Sequence, residues 1–323
     1  MKQKMSYKSI TPSIGAEVSG LDCSTVDADN KIKLQELLVS RKVLVFRDQM
    51  ISPLEFLDFM KIFGSPYAED LKPQDGNPAE VGVIKIQPNE RQIINFWHMD
   101  YSFLEKPAAV LSLYAEKIPP CGGDTLLSNL EAAYDGLEDN VKNDIDSLWA
   151  NHKLGVETQN AKNRWSREEL EKMDADPPLK HPLVCLNPDN NKKYLFVNVP
   201  IFCGSIVGME NEEGDKLLSS LYHHAQRPEY SFRLTWSKGT IVIWRTFIVY
   251  ITLYPITFRM SEKCSGWLLR EKENQVTVSK TLDQIILISK INQSLETRFR
   301  SFYNQVGSDF FMRKRRIPVL FLL

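Results

Sequence analysis

The apolar runs along this chain are short, and that limits the folds open to it. Val43-Leu44-Val45-Phe46 is half β-branched and has the length of a buried strand. Val81–Ile86 and residues 108–115, 124–127, 232–236 and 241–244 are similarly short strand candidates. The segments between them are uneven. Ser52-Pro53-x-Glu55 predicts a helix opened by a capping box, with Pro at its first position. Phe56, Phe59, Met60 and Phe63 give that helix a buried stripe, and Gly64 ends it. Ser128-x-x-Glu131 and Ser166-x-x-Glu169 read as two further capping boxes. Leu34, Leu37 and Leu38 have helical spacing, residues 141–149 read as helical, and residues 210–224 form an amphipathic helix. Regular βα alternation is missing, which argues against a doubly wound parallel sheet. The pattern predicts a mainly β fold with helical additions, a β-sandwich or jelly roll.

At 323 residues and 43% apolar content, the chain can bury a large core. A net charge of −1 gives no electrostatic reason to expect nucleic acid or a membrane surface as partner. No apolar run approaches the roughly 18 residues of a membrane span. Cys23, Cys121, Cys185, Cys203 and Cys264 are scattered and odd in number, the pattern of reduced thiols in the cytoplasm. The first residues lack the apolar stretch of a signal peptide. G-x-G-x-x-G, G-K-[ST] and G-x-S-x-G do not occur, so nucleotide-binding and α/β-hydrolase readings have no anchor.

Residues 95–101, Asn-Phe-Trp-His-Met-Asp-Tyr, carry the chemistry. On an extended backbone His98 and Asp100 point to the same face. An imidazole nitrogen and a carboxylate oxygen can then meet on one metal ion. With a distant second His, such a pair forms the facial triad of non-haem Fe(II) oxygenases, which leaves open positions on the ion. The bland alternative is a surface His beside an Asp that binds nothing. The remaining histidines read as structural: His181 before Pro182 as a hydrogen-bonded residue, His223 and His224 at a helix end, and His152 as solvent-facing.

The order of motifs resembles the Fe(II)/2-oxoglutarate-dependent dioxygenases of the taurine dioxygenase family. The matching stretches are ITPSIGAEVSGLD (10–22), RKVLVFRDQ (41–49), FGSP (63–66), NFWHMDYSF (95–103), PPCGGDTLLSNLEAAYDGL (119–137), HP (181–182), LFVN (195–198), IVGM (206–209) and W-x-x-G-x-x-x-x-W (236–244). The resemblance implies a double-stranded β-helix, or jelly roll. It implies Fe(II) held by His98, Asp100 and a distal His, with 2-oxoglutarate and O2 as cosubstrates. It further implies that Thr125 and an Arg near the C-terminus hold the distal carboxylate of 2-oxoglutarate. Oxidative decarboxylation of 2-oxoglutarate to succinate would then be coupled to hydroxylation of a small organic substrate. A homo-oligomer is compatible with such a chain.

The resemblance breaks after Trp244. All five histidines lie at or before position 224, so the expected distal ligand is missing. Residues 246–323 carry 12 Lys and Arg against 6 Asp and Glu, whereas the residues before them are net acidic. Arg259 is the candidate for the 2-oxoglutarate arginine. We therefore divide the chain into a dioxygenase jelly-roll domain, 1–244, and an aberrant segment, 245–323, that is not a separate domain and leaves the jelly roll incomplete at that end. The apolar stretches at 285–288 and 317–323 were not selected to complete its core. The alternative function is a non-catalytic jelly-roll remnant that binds a small acid or a protein. A shifted reading frame accounts for the break: residues 250–267, re-read one frame away with permitted wobble bases, spell HYAVSDYFPNVRKVQRV, which restores the expected His, Asp and Arg. Sequencing the coding DNA checks this; a second frame that does not encode that string rules the explanation out.

Overall fold

The computed structural model describes residues 4–66, 77–86, 95–105, 108–119, 122–158, 161–162, 166–253, 284–286, 316–317 and 319–322. Its elements begin with β1 (Ser6–Ser9), β2 (Ala16–Ser19), α1 (Ala28–Arg41), β3 (Val43–Phe46), α2 (Pro53–Met60), β4 (Ser65–Pro66), β5 (Val81–Ile86) and β6 (Val110–Ala115). There follow β7 (Thr125–Asn129), α3 (Leu130–Asp135), α4 (Asp139–Ile145), β8 (Trp149–His152), α5 (Arg167–Ala175), β9 (Leu179–Pro182), β10 (Val184–Leu186) and β11 (Lys193–Leu195). The chain continues with β12 (Cys203–Ile206), α6 (Asn211–His224), β13 (Ser231–Leu234), β14 (Ile241–Arg245) and β15 (Val249–Leu253). Strands β16 (Gln284–Ile286), β17 (Arg316–Ile317) and β18 (Val319–Leu322) come last.

Two sheets face each other. The larger has the order β1-β2-β3-β14-β6-β18-β5-β16, and the smaller the order β13-β7-β15. Strand alternation sorts their side chains into separate cores. Val43 and Val45 of β3, Leu111 and Leu113 of β6, and Val242 and Trp244 of β14 point inward. They meet Leu127, Phe232, Leu234, Val249 and Ile251 from the smaller sheet. Leu44, Phe46, Ile241 and Ile243 point the other way and pack beneath α1 and α2. The outer face of the smaller sheet, with Tyr250, is covered by α3, α6 and the β8–β12 strands. This is the jelly-roll sandwich expected from the sequence, helical additions included.

The strand between Trp236 and Trp244 is interrupted for a reason. β13 pairs with β7 in the smaller sheet, whereas β14 pairs with β3 and β6 in the larger. The two are therefore not a hairpin, and the turn between them carries the chain from one sheet to the other. Gly239 makes that turn at φ 77°, and a Cβ there would lie 2.7 Å from the Gln49 carbonyl oxygen.

Caps explain several boundaries. Ser52 and Ser166 each form the complete capping box with Glu55 and Glu169. The box expected at Ser128 is replaced: Asn129 caps α3, its side chain accepting from the N–H groups of Glu131 and Ala132. Ser128 is still within β7, and its hydroxyl donates to the Ala225 carbonyl at 2.6 Å. Glu131 instead meets the buried Lys42 ammonium at 2.9 Å. The helix expected over 141–149 ends at Ile145, and Trp149 already opens β8.

The sandwich continues past residue 244. β15 is buried almost throughout and pairs with β7 along its length. Farther on, β16 pairs with β5, and β18 runs parallel to both β5 and β6. Residues 244–250 fit the core with polar loose ends. Trp244 Nε1, Thr246 Oγ1 and Tyr250 Oη are buried without a hydrogen-bond partner among the described residues. Each such group costs on the order of 1–3 kcal/mol. No described helix is long and apolar enough to cross a membrane.

Tyr250→Phe removes one of these groups without opening a large cavity. Against the usual direction for a core substitution, urea unfolding is expected to show the variant at least as stable as the parent, by up to about 1 kcal/mol. A loss above about 1 kcal/mol would show that the phenol has a partner.

Candidate active site

His98 is tied to the edge of the smaller sheet by two backbone hydrogen bonds. Its N–H donates to the Ile251 carbonyl at 2.8 Å, and the Ile251 N–H donates back to the His98 carbonyl at 2.9 Å. The two residues form an isolated antiparallel bridge. Ile251 in turn lies opposite Leu127 across β15 and β7. Directly opposed residues share a face, as do residues two apart on one strand. His98, Ile251, Leu127 and Thr125 therefore all present their side chains to the interior of the sandwich.

The loop that follows is clamped from the LFVN stretch. The Asn198 side chain accepts from the Met99 N–H at 3.1 Å and donates to the Met99 carbonyl at 2.9 Å. It also donates to Ser102 Oγ at 2.7 Å. On the outer face Trp97 stacks on Tyr250, ring centroids 6.2 Å apart. These contacts leave His98 and Asp100 little freedom. His98 Nε2 lies 3.4 Å from Asp100 Oδ1. Its Nδ1 lies 3.0 Å from the Phe96 carbonyl oxygen, which accepts only if that nitrogen carries the proton. In the neutral ring this hydrogen bond leaves the lone pair on Nε2, as in metal-ligating histidines; in the protonated ring Nε2 donates to Asp100 instead. Burial pulls the imidazole pKa down, but the Asp100 hydrogen bond and charge, with the Phe96 carbonyl, outweigh it and leave the pKa raised.

Thr125 is fully buried at the start of β7. Its hydroxyl oxygen accepts from the Trp236 indole N–H at 3.0 Å, which leaves the hydroxyl proton to donate. Arg259 lies outside the described residues.

The other histidines do not join the pair. His223 Nδ1 is 2.6 Å from the Ser219 carbonyl oxygen, and His224 Nε2 is 2.8 Å from that of Ala133. His152 is not solvent-facing as expected: it is wholly buried on β8, with neither ring nitrogen hydrogen-bonded among the described residues. It packs edge-on against His181, with Phe196 beside both rings. His181 is hydrogen-bonded to the backbone of Leu104 and Ser102, as foreseen, while its Nε2 is buried without a partner among the described residues. Burial pushes the Cys185 and Cys203 thiols up to about 12, so neither offers a thiolate.

The donor set can be tested against iron. A facial site needs three protein donors. Among the described residues no group of three His, Cys, Asp or Glu side chains could hold a metal ion. His98 and Asp100 are two candidate donors, and the described residues bring no third His, Cys, Asp or Glu to them.

The model of the taurine catabolism dioxygenase TauD, TfdA family matches residues 6–250. The chain belongs to this family. Among curated relatives, an alkylsulfatase from Acinetobacter baylyi is 29% identical over 249 residues, covering 75% of this chain and 77% of that protein. An alpha-ketoglutarate-dependent 2,4-dichlorophenoxyacetate dioxygenase from Cupriavidus pinatubonensis is 28% identical over 251 residues, covering 72% and 86%. Among solved structures, a putative alpha-ketoglutarate-dependent taurine dioxygenase from Burkholderia xenovorans superposes with a TM-score of 0.66 at 26% identity, covering 78% of this chain and 86% of that one. The family is thus one of 2-oxoglutarate-dependent oxidoreductases, and the match ends at Tyr250, one residue before the partner of His98.

Sequence reasoning missed two residues in this site. Asn198 could be found only as part of the LFVN match, because a buried Asn has no periodicity of its own. Ile251 gave no signal, since its role depends on a pairing across the sheet.

The buried His152 makes a prediction about acid. Its pKa is lowered by burial, and by the neighbouring His181, to about 3, from 6.5. The unfolded chain therefore takes up this proton first as pH falls. The native state keeps its full stability above about pH 6.5 and loses up to about 1.4 kcal/mol per unit between there and pH 3. His152→Phe should flatten that slope in urea melts at pH 7 and pH 5. Equal slopes for parent and variant would contradict the assignment.

Proposed function

We propose that this site serves the oxidative decarboxylation of 2-oxoglutarate coupled, with O2, to hydroxylation of a small organic substrate at Fe(II). The observation that carries the reading is the convergence of His98 Nε2 and Asp100 Oδ1 on the inner face, with Nδ1 already committed to a carbonyl. In this reading His98 and Asp100 are the two metal donors. Thr125, on the same face, gives its hydroxyl proton to the distal carboxylate of 2-oxoglutarate, and Arg259 is the candidate for its second partner. Asn198 and the Ile251 backbone are positioning groups. With two donors among the described residues in place of three, the chain holds iron weakly and turns over slowly.

The substrate proposed is an organic acid with an apolar body. Phe96 lies 5.6 Å from the His98 ring, and Phe202 lies 6.2 Å from Phe96 and 6.1 Å from Phe103. All three rings are partly exposed, so they form an aromatic wall beside the donor pair. Two of the relatives described above are named for alkyl sulfates and for a chlorinated phenoxyacetate, acids of this kind. A cytoplasmic setting is in keeping with free thiols at Cys23, Cys185 and Cys203.

Purified chain supplied with Fe(II), ascorbate and 2-oxoglutarate is expected to release succinate slowly, faster with alkyl or aryloxy acids than with taurine, and not at all after His98→Ala. Phe202→Ala should raise KM for the apolar acids about tenfold, the worth of roughly 1.4 kcal/mol of lost contact. Preference for taurine, or a Phe202→Ala variant with unchanged KM, would refute the substrate class.

A further inference from the structure

We infer that Ile251 occupies the third corner of the metal site, so that one side-chain change at this position would complete it. The inference rests on reading His98 and Asp100 as metal donors. Its geometry comes from the bridge between His98 and Ile251. The reciprocal hydrogen bonds of 2.8 and 2.9 Å make them a directly opposed antiparallel pair. The β-carbons of such a pair stand about 5 Å apart on one face. Two imidazoles rooted there can meet on one ion with metal–nitrogen bonds of about 2 Å. Asp100 already approaches that space from the other side of the His98 ring. No other described position combines these relations: Leu127 is a further strand away, and Val249 lies two residues along β15.

The present occupant explains why the corner carries no donor. Ile251 is 4% exposed and packs in the inner core with Leu127, Val249 and Trp244. Hydrocarbon sits where a lone pair is needed, and the surroundings are dry enough to strengthen any ionic bond made there. The backbone needs no rearrangement, because its two hydrogen bonds to His98 do not depend on the side chain.

The test is Co(II) binding to the full chain, followed by calorimetry and absorbance. The parent is expected to bind Co(II) weakly. Ile251→His should bind it at least about 100-fold more tightly, with a melting temperature that rises on Co(II) addition. Adding His98→Ala to that variant should abolish the gain. A buried imidazole can destabilise the metal-free fold, so Ile251→Cys is the second variant. It keeps an apolar side chain and should give a thiolate-to-cobalt absorption band in the near ultraviolet. If neither variant gains affinity or a band, while the parent binds Co(II) tightly through His98, the third donor lies elsewhere: the assignment of Ile251 fails and the family reaction stands. If His98→Ala changes nothing in any background, His98 is not a metal donor, and both the assignment and the reading beneath it fail.

Discussion

Two backbone hydrogen bonds between His98 and Ile251 hold the chemistry of this protein in place. The segment around His98 is not part of a regular strand. Its position comes from this bridge to β15, from the Asn198 clamp on Met99 and Ser102, and from Trp97 stacked on Tyr250. The bridge turns the imidazole inward, and the Phe96 carbonyl selects the nitrogen that faces Asp100. Because backbone atoms make the bridge, it tolerates an apolar residue at 251 as readily as a ligand. The scaffold of the site can therefore persist in a chain whose ligand set is incomplete.

The same distinction runs through residues 244–253. Backbone pairing places β14 and β15 in their sheets, and apolar side chains such as Val249 and Ile251 fill the sandwich. The polar atoms fit less well: the Trp244 indole, the Thr246 hydroxyl and the Tyr250 phenol are buried without partners among the described residues. Apolar burial asks only for size and periodicity, whereas hydrogen bonds ask for a particular atom at a particular place.

Much of the architecture was legible in the chain because local signals and tertiary demands agreed. Ser52 and Ser166 opened their helices as their capping boxes required, and Val43–Phe46 became a fully buried strand. Legibility failed where a local pattern met a competing partner. Ser128 has the spacing of a cap, yet its hydroxyl serves Ala225, and Asn129 takes over the helix. Residues 232–236 and 241–244 read as two strands close together in the chain, yet different sheets claim them. His98 and Asp100 were readable because their spacing is local. Ile251 and the buried His152 were not, because cross-strand register and layer packing decide what they face.

We propose that, among the described residues, this chain keeps two metal donors, His98 and Asp100, with the Ile251 hydrocarbon at the third corner. Crystals of the parent soaked in Mn(II), measured for anomalous scattering, test it most directly. The account predicts a peak within bonding distance of His98 Nε2 and an Asp100 carboxylate oxygen, with Ile251 at the vacant protein corner and only solvent completing the coordination. A third protein side chain bound to the ion, or a peak away from His98, would contradict it.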